Sequence, residues 1–285
     1  LIKMKITFFK FSKEQKIRLK KNFLSNINFH TFQIISQLAY PPLMLLVWGA
    51  ESFGIWIFFT SIPNILSIFN FNFNSAVIQE MTIFYSKNNK NKVDQIFQNG
   101  ILLTILSILV FILVALCFYF FFDFDFSVAK SMSAFEINLI ILLLIISFLL
   151  DIFNSIFISG LYFQGKQFVA LNIKTSFEFI LRVAVIISGI FFESLIYIAI
   201  IFVILSICKN LVYFYYFLIN NKYLTLSLNK ASSRITIRLF RLSIGYTLET
   251  IHFLIKHHGL IVLMGIFFNA PMIAYISTFK TLFYF

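Results

Sequence analysis

Acidic residues are scarce in this chain. It has 11 Asp and Glu against 23 Lys and Arg, and charged residues of both signs make up only 12% of its 285 positions. A soluble domain averages about 25%, so a water-soluble globular fold is excluded. There are 2 cysteines, Cys117 and Cys208, both inside apolar runs and without Cys-x-x-Cys or Cys/His spacing. A disulfide framework or zinc knuckle is excluded, and both thiols are expected to be free and buried. No constellation suited to a metal or a catalytic triad is visible.

What is present is apolar. Hydrophobic residues make up 60%, and the mean hydropathy is +0.92. The 41 Phe, with abundant Ile, Asn and Lys, fit the codon bias of an AT-rich genome, so aromatic content by itself marks no site. The fold class is therefore all-α: a polytopic membrane helical bundle, since each lipid-embedded stretch must satisfy its own backbone hydrogen bonds. About eight spans are read, at 23–48, 53–85, 96–122, 137–163, 173–192, 194–219 and 239–267, with an eighth starting after Pro271 and running to the end. No small-residue cleavage site follows the first span, so it is not a signal peptide.

The net charge of +12 would suggest nucleic acid in a soluble protein. Here the cations sort by loop instead. Lys3, Lys5, Lys10, Lys13, Lys16, Arg18, Lys20 and Lys21 precede span one. Lys87, Lys90, Lys92, Lys166, Lys174, Lys222, Lys230, Arg234 and Arg238 fall in alternate loops. The opposite loops hold only Lys130. This asymmetry predicts an N-terminus in the cytoplasm, with Glu51, Asp123 and Asn269 outside. No nucleic-acid partner is expected.

Polar residues inside spans are costly and so informative. Asn26, His30, Gln33 and Gln37 share one face of span one, which interhelical hydrogen bonding or a cavity would explain equally well. Pro41-Pro42 should loosen the outer third of that span. Asn70, Asn72 and Asn74 imply an irregular stretch in span two. Span three reads as almost featureless. Asp151 lies near the middle of span four and is expected to bind a coupling proton or cation, or to pair with Lys209 of span six. Glu178 and Arg182 in span five, at i, i+4, should neutralise each other. Span seven carries the strongest stripe: Arg241, Gly245, Glu249, His252, Lys256 and Gly259 recur at helical spacing.

Four stretches carry a family resemblance, one of them Asn70 to Glu80 with the basic loop that follows, at the end of span two. Gly49-Ala50-Glu51-Ser52-Phe53-Gly54-Ile55-Trp56 resembles the first outer turn of polysaccharide-biosynthesis flippases of the O-antigen (Wzx) type. These belong to the multidrug/oligosaccharidyl-lipid/polysaccharide transporter superfamily. Ser159-Gly160-Leu161-Tyr162-Phe163-Gln164-Gly165-Lys166 resembles the family's span-four exit. Ala270 and the residues after it, to Tyr275, resemble the start of its span eight. The likeness runs along essentially the whole chain. It departs at Asn70, Asn72 and Asn74, where the family often has Asp and Gly, and at His257 or His258, where it often has Asp.

The resemblance implies two six-helix lobes. On that reading 1–22 is a basic cytoplasmic segment and 23–219 is lobe one. Residues 220–238 form the loop between lobes, and 239–285 are the first two helices of a truncated second lobe. The implied activity is outward movement of undecaprenyl-diphosphate-linked oligosaccharide across a bacterial inner membrane, with no cofactor. Its partners would be the lipid-linked sugar, membrane lipid and a coupling proton or sodium ion. Arg241, Lys256, Lys209 and Arg182 would then supply cations for the diphosphate. Glu249 and His252 share the span-seven wall, and Asn26, Gln33 and Gln37 would meet sugars. A drug or cation antiporter of the same superfamily would favour carboxylates in its cavity, whereas spans six and seven are net basic. A membrane glycosyltransferase or polymerase would need sizeable outer loops. The only long one, 122–136, offers Asp123-Phe124-Asp125 as a metal-holding pair, for which interfacial carboxylates are the plainer reading.

Overall fold

A computed structural model describes residues 12–69, 72–121, 127–129, 132–192 and 194–283. Asn70, Asp123, Asp125, Lys130 and the cations before Ser12 lie outside them. The described residues are mostly helical, with no strand among them. The helices are α1 (Lys13–Leu66), α2 (Phe73–Ser86), α3 (Lys90–Phe121), α4 (Ala134–Tyr162), α5 (Gln167–Phe191), α6 (Leu195–Asn220), α7 (Ser233–Leu254), α8 (Leu260–Phe267) and α9 (Ala270–Phe283). The all-α membrane bundle read from composition is the observed architecture. Five helical runs among the described residues are long and apolar enough to cross a membrane: α1, α3, α4, α6 and the α7–α8 run.

α1 is two arms. Gly49 alone inside it has non-helical angles, φ 72° and ψ 169°, a left-handed region that favours glycine. In one straight helix Tyr40 and Phe53 would stand about 20 Å apart. Their ring centroids are 6.4 Å apart, so the second arm folds back on the first. The break lies at Gly49; the helix runs on through Pro41 and Pro42, which corrects the expected loosening there. The first arm, 13–48, rises about 54 Å against a hydrocarbon core of about 30 Å. Its basic turns therefore project beyond the core. Ser12 starts the arm with a reciprocal cap to Gln15, and Ser133 starts α4 in the same way with Glu136. The irregularity expected in span two is a real break: α1 ends at Leu66, a 3-10 turn covers Ser67–Phe69, and α2 begins at Phe73.

Lipid tails are as apolar as Leu, so helices in a membrane associate through close packing rather than burial from water. Small residues mark the tightest seams here. A Cβ on Gly54 would sit 1.9 Å from the Ala270 carbonyl oxygen, and one on Gly189 would overlap the Trp48 indole. Two of the family-like stretches, the one from Gly49 to Trp56 and the one from Ala270 to Tyr275, thus touch, α1 against the start of α9. α4 packs chiefly on α6, and α5 on the first arm of α1. Cys117 and Cys208 are exposed on helix surfaces rather than buried, because each lies on the side of its helix that meets no neighbour.

Two apolar clusters fill the bundle. One gathers Met44, Phe58, Phe59, Ile140, Ile152 and Ala199. The other gathers Phe97, Ile156, Leu161, Tyr213 and Phe217. Ile152 and Ile156 belong to different clusters, so Asp151 and Asn154 lie at their join.

Candidate functional site

That join is a polar cavity of about 370 Å³ between the second arm of α1 and helices α4, α5 and α6. Helical spacing puts Ser147, Asp151 and Asn154 on one face of α4, and Ser206, Lys209 and Tyr213 on one face of α6. Lys209 Nζ lies 2.6 Å from Asp151 Oδ1, which realises the second of the two roles expected for Asp151. Lys174 Nζ lies 3.8 Å from Glu178, and both also line the cavity. Two carboxylates meet two ammoniums, so the cavity is close to neutral and offers little field to a diphosphate. Among the described residues, Ser147 Oγ and Asn154 Oδ1 are buried without a hydrogen-bond partner. Such groups cost about 1–3 kcal/mol each, and two facing one cavity give it unused oxygen donors for a proton or a hard cation.

Glu178 and Arg182 stay close enough to attract each other but make no direct ion pair. Lys174 takes the carboxylate, while the Arg182 guanidinium stacks 5.1 Å from the Tyr40 ring and 5.9 Å from Phe32. The α1 face toward α5 is aromatic here, and a flat cation lies well on it.

α7 presents the opposite arrangement. Leu239, Ser243, Thr247 and Leu254 are its buried residues. Arg241, Gly245, Glu249 and His252 are exposed. At 3.6 residues per turn, these four fall within an arc of about 80° on the side away from the buried face. Lys256 follows, also exposed. Charges on a lipid-facing stripe would cost about 2.5–3.5 kcal/mol each near the bilayer centre. The stripe therefore faces water or a protein surface. Asn26 of α1 donates to its own helix at Asn22 O, 2.8 Å away. Gln33 is half-buried and Gln37 exposed. Lys209 and Arg182 lie apart from the α7 set, each with its own neighbours. The structure thus divides the cations that the sequence grouped.

Three features had no counterpart in the sequence reading. First, a π-helical turn, Ile255–Gly259, separates α7 from α8, and Lys280 of α9 donates to the carbonyls of Lys256 (2.6 Å) and His257 (2.9 Å). A π turn leaves carbonyls out of register, and the ammonium satisfies them. Second, polar contacts join α2 to α7: Arg238 Nη2 to Glu80 Oε2 at 2.5 Å and Tyr246 Oη to Gln79 Oε1 at 2.7 Å.

Third, α3 is not featureless at its start. Asp94, Gln98 and Asn99 are 2%, 1% and 0% exposed, and all three hold the α6–α7 loop. Asp94 accepts from Thr225 N (2.8 Å), Thr225 Oγ1 (3.0 Å) and Lys230 Nζ (2.6 Å). Gln98 Oε1 accepts from Lys230 N at 2.7 Å, and Asn99 Oδ1 from Ser232 N at 2.9 Å. The signal was three polar residues at i, i+4 and i+5 ahead of an apolar run. On the same side of the bundle Asn22 bridges to Gly165 O and Phe168 N, and Lys166 Nζ donates to Asn220 Oδ1 at 2.8 Å. Burial, with the charge of Arg18 beside it, holds the Lys166 ammonium below its ordinary range.

Long apolar helices, a polar cavity with paired charges and a charge-bearing helix face define an all-α membrane protein. The sequence model of the family described as polysaccharide biosynthesis protein matches residues 19–282, and the chain belongs to that family. No curated protein and no solved structure matches it.

Proposed function

We propose that the protein is a transporter rather than an enzyme: a flippase that moves undecaprenyl-diphosphate-linked oligosaccharide from the cytoplasmic to the periplasmic leaflet of a bacterial inner membrane. The observation that carries this reading is the α7 stripe, exposed on the side of the helix away from its packed face. Arg241, His252 and Lys256 share it with one carboxylate, Glu249. Such a surface suits an anion passing along the helix, and family membership supplies the polysaccharide context. The lipid-linked sugar and membrane lipid are the proposed partners, with the N-terminus on the cytoplasmic side.

Expression of the protein in a strain lacking its own flippase tests this. Surface glycan should return. Lipid-linked glycan that stays on the cytoplasmic leaflet, with the protein at normal membrane levels, would overturn it.

Asp151 is the proposed coupling group. It pairs with Lys209 beside the unpartnered oxygens of Ser147 and Asn154, so gain or loss of a cation there changes the charge balance between α4 and α6. Asp151→Asn should reduce transport at least tenfold and flatten its dependence on external pH. An unchanged rate with an unchanged pH profile would remove Asp151 from coupling.

A further inference from the structure

We infer that the groove where α2, α3 and α7 meet is a docking site for the phosphate of a membrane lipid. The groove encloses about 680 Å³, and four cations line it: Lys92, Arg234, Arg238 and Arg241. They come from two segments far apart in sequence. Arg238 is held by Glu80 and Lys92 by Gln95. Arg234 and Arg241 carry no ion pair or hydrogen bond among the described residues. The rest of the lining is apolar apart from Ser233: Phe84, Ile96, Ile235 and Ile237.

Each of these facts bears on the ligand. Two unengaged guanidiniums beside two braced cations make a strong anion site, since Arg grips phosphate as a fork. The apolar part of the lining has no use for a free phosphate, which would take a polar cradle on all sides. It does suit the first methylenes of a lipid whose headgroup sits on the cations. The groove also lies where α2 ends and α3 and α7 begin, at the edge of the apolar spans, which is headgroup depth. Scattered topology cations would not share this geometry. Lys13, Lys16 and Lys20 stand exposed on α1, whereas the groove is set by the buried contacts of Asp94, Gln98 and Asn99 with the loop that leads into Arg234. These contacts fix the backbone that carries Arg234 relative to α3, so the stems converge while the two unengaged guanidiniums stay free to close on a phosphate.

The chemistry has two sources: the diphosphate of the transported lipid, an arm that rests on the flippase reading, and a resident anionic phospholipid, which does not. The test is binding and needs no transport. The full chain is placed in phosphatidylcholine nanodiscs containing fluorescent phosphatidylglycerol, and bound label is measured. Lys92→Gln/Arg234→Gln should weaken retention at least tenfold. Lys13→Gln/Lys16→Gln, which removes the same charge from α1, should weaken it less than twofold. Equal loss in the two double variants, or no loss in the groove variant, would overturn the inference. Competition then separates the sources. Displacement by undecaprenyl diphosphate assigns the groove to the substrate headgroup, and resistance to it assigns the groove to resident phospholipid. Both outcomes keep a lipid phosphate. Displacement by inorganic phosphate at the same concentration would overturn it.

Discussion

The Arg241→Ala/Lys256→Ala double variant is expected to reach the membrane at normal levels and export no glycan. The first half follows from packing. Arg241 projects from the side of α7 away from Leu239, Ser243, Thr247 and Leu254, and both residues are exposed, so truncation opens no cavity in the core. Lys256 fixes the π turn through its carbonyl, which accepts from Lys280 and survives the substitution. The second half follows from electrostatics. A hydrogen bond to a charged group contributes about 1.5–3 kcal/mol, so two cations lost from a diphosphate path remove about 3–6 kcal/mol. That is roughly two to four powers of ten in affinity. Arg241→Lys should keep partial export, because a point charge replaces a fork. Glu249→Gln should be milder than either truncation, since it adds to the net positive field. Export is scored by complementation of the flippase-deficient strain, with membrane levels measured in parallel. Full export by the double variant would take α7 out of the substrate path.

Asp94→Ala is expected to release the α6–α7 loop. Its carboxylate is 2% exposed and accepts from a backbone amide, a hydroxyl and an ammonium. Removing one partner of a buried pair costs about 3–5 kcal/mol. Because the Lys230 side chain is half exposed, the lower figure applies. About 3 kcal/mol corresponds to roughly a hundredfold, which should appear as faster amide hydrogen exchange at Thr225, Lys230 and Ser232. Asp94→Asn should show a smaller effect, since the amide oxygen can still accept from Thr225 N. Exchange in α4 and α6 should be unchanged. Exchange rates at the three loop amides equal to wild type would mean that the network does not hold the loop. Because the loop leads straight into Arg234 and Arg241, its release should also weaken export.

Much of the fold was legible because the signals are local. Apolar length gives a span, and cations sort to one side of it. The repeat of Arg241, Gly245, Glu249 and His252 survives folding because residues on one helix keep their angular relation whatever the helix packs against. The reversal at Gly49 was legible for the same reason: two long apolar runs joined by so short a link have no other course.

Partnership was not legible. Asp151 could have bound a cation alone or met Lys209, and only the rotational setting of α4 against α6 brought the pair to 2.6 Å. Glu178 lies at helical spacing from both Lys174 and Arg182, and the aromatic face of α1 drew Arg182 away. Asp94, Gln98 and Asn99 looked like the margin of a plain apolar span until the loop folded over them. The sequence by itself therefore determined the all-α apolar bundle, the charge asymmetry of its loops and the polar face of α7. The tertiary structure alone decided which charges neutralise one another, which loop is held and where cations converge. The physical reason is that hydropathy and period fix a helix along its own axis, whereas contacts across helices depend on how far each is turned about that axis. In a chain that is apolar nearly all round its helices, only close packing sets that angle.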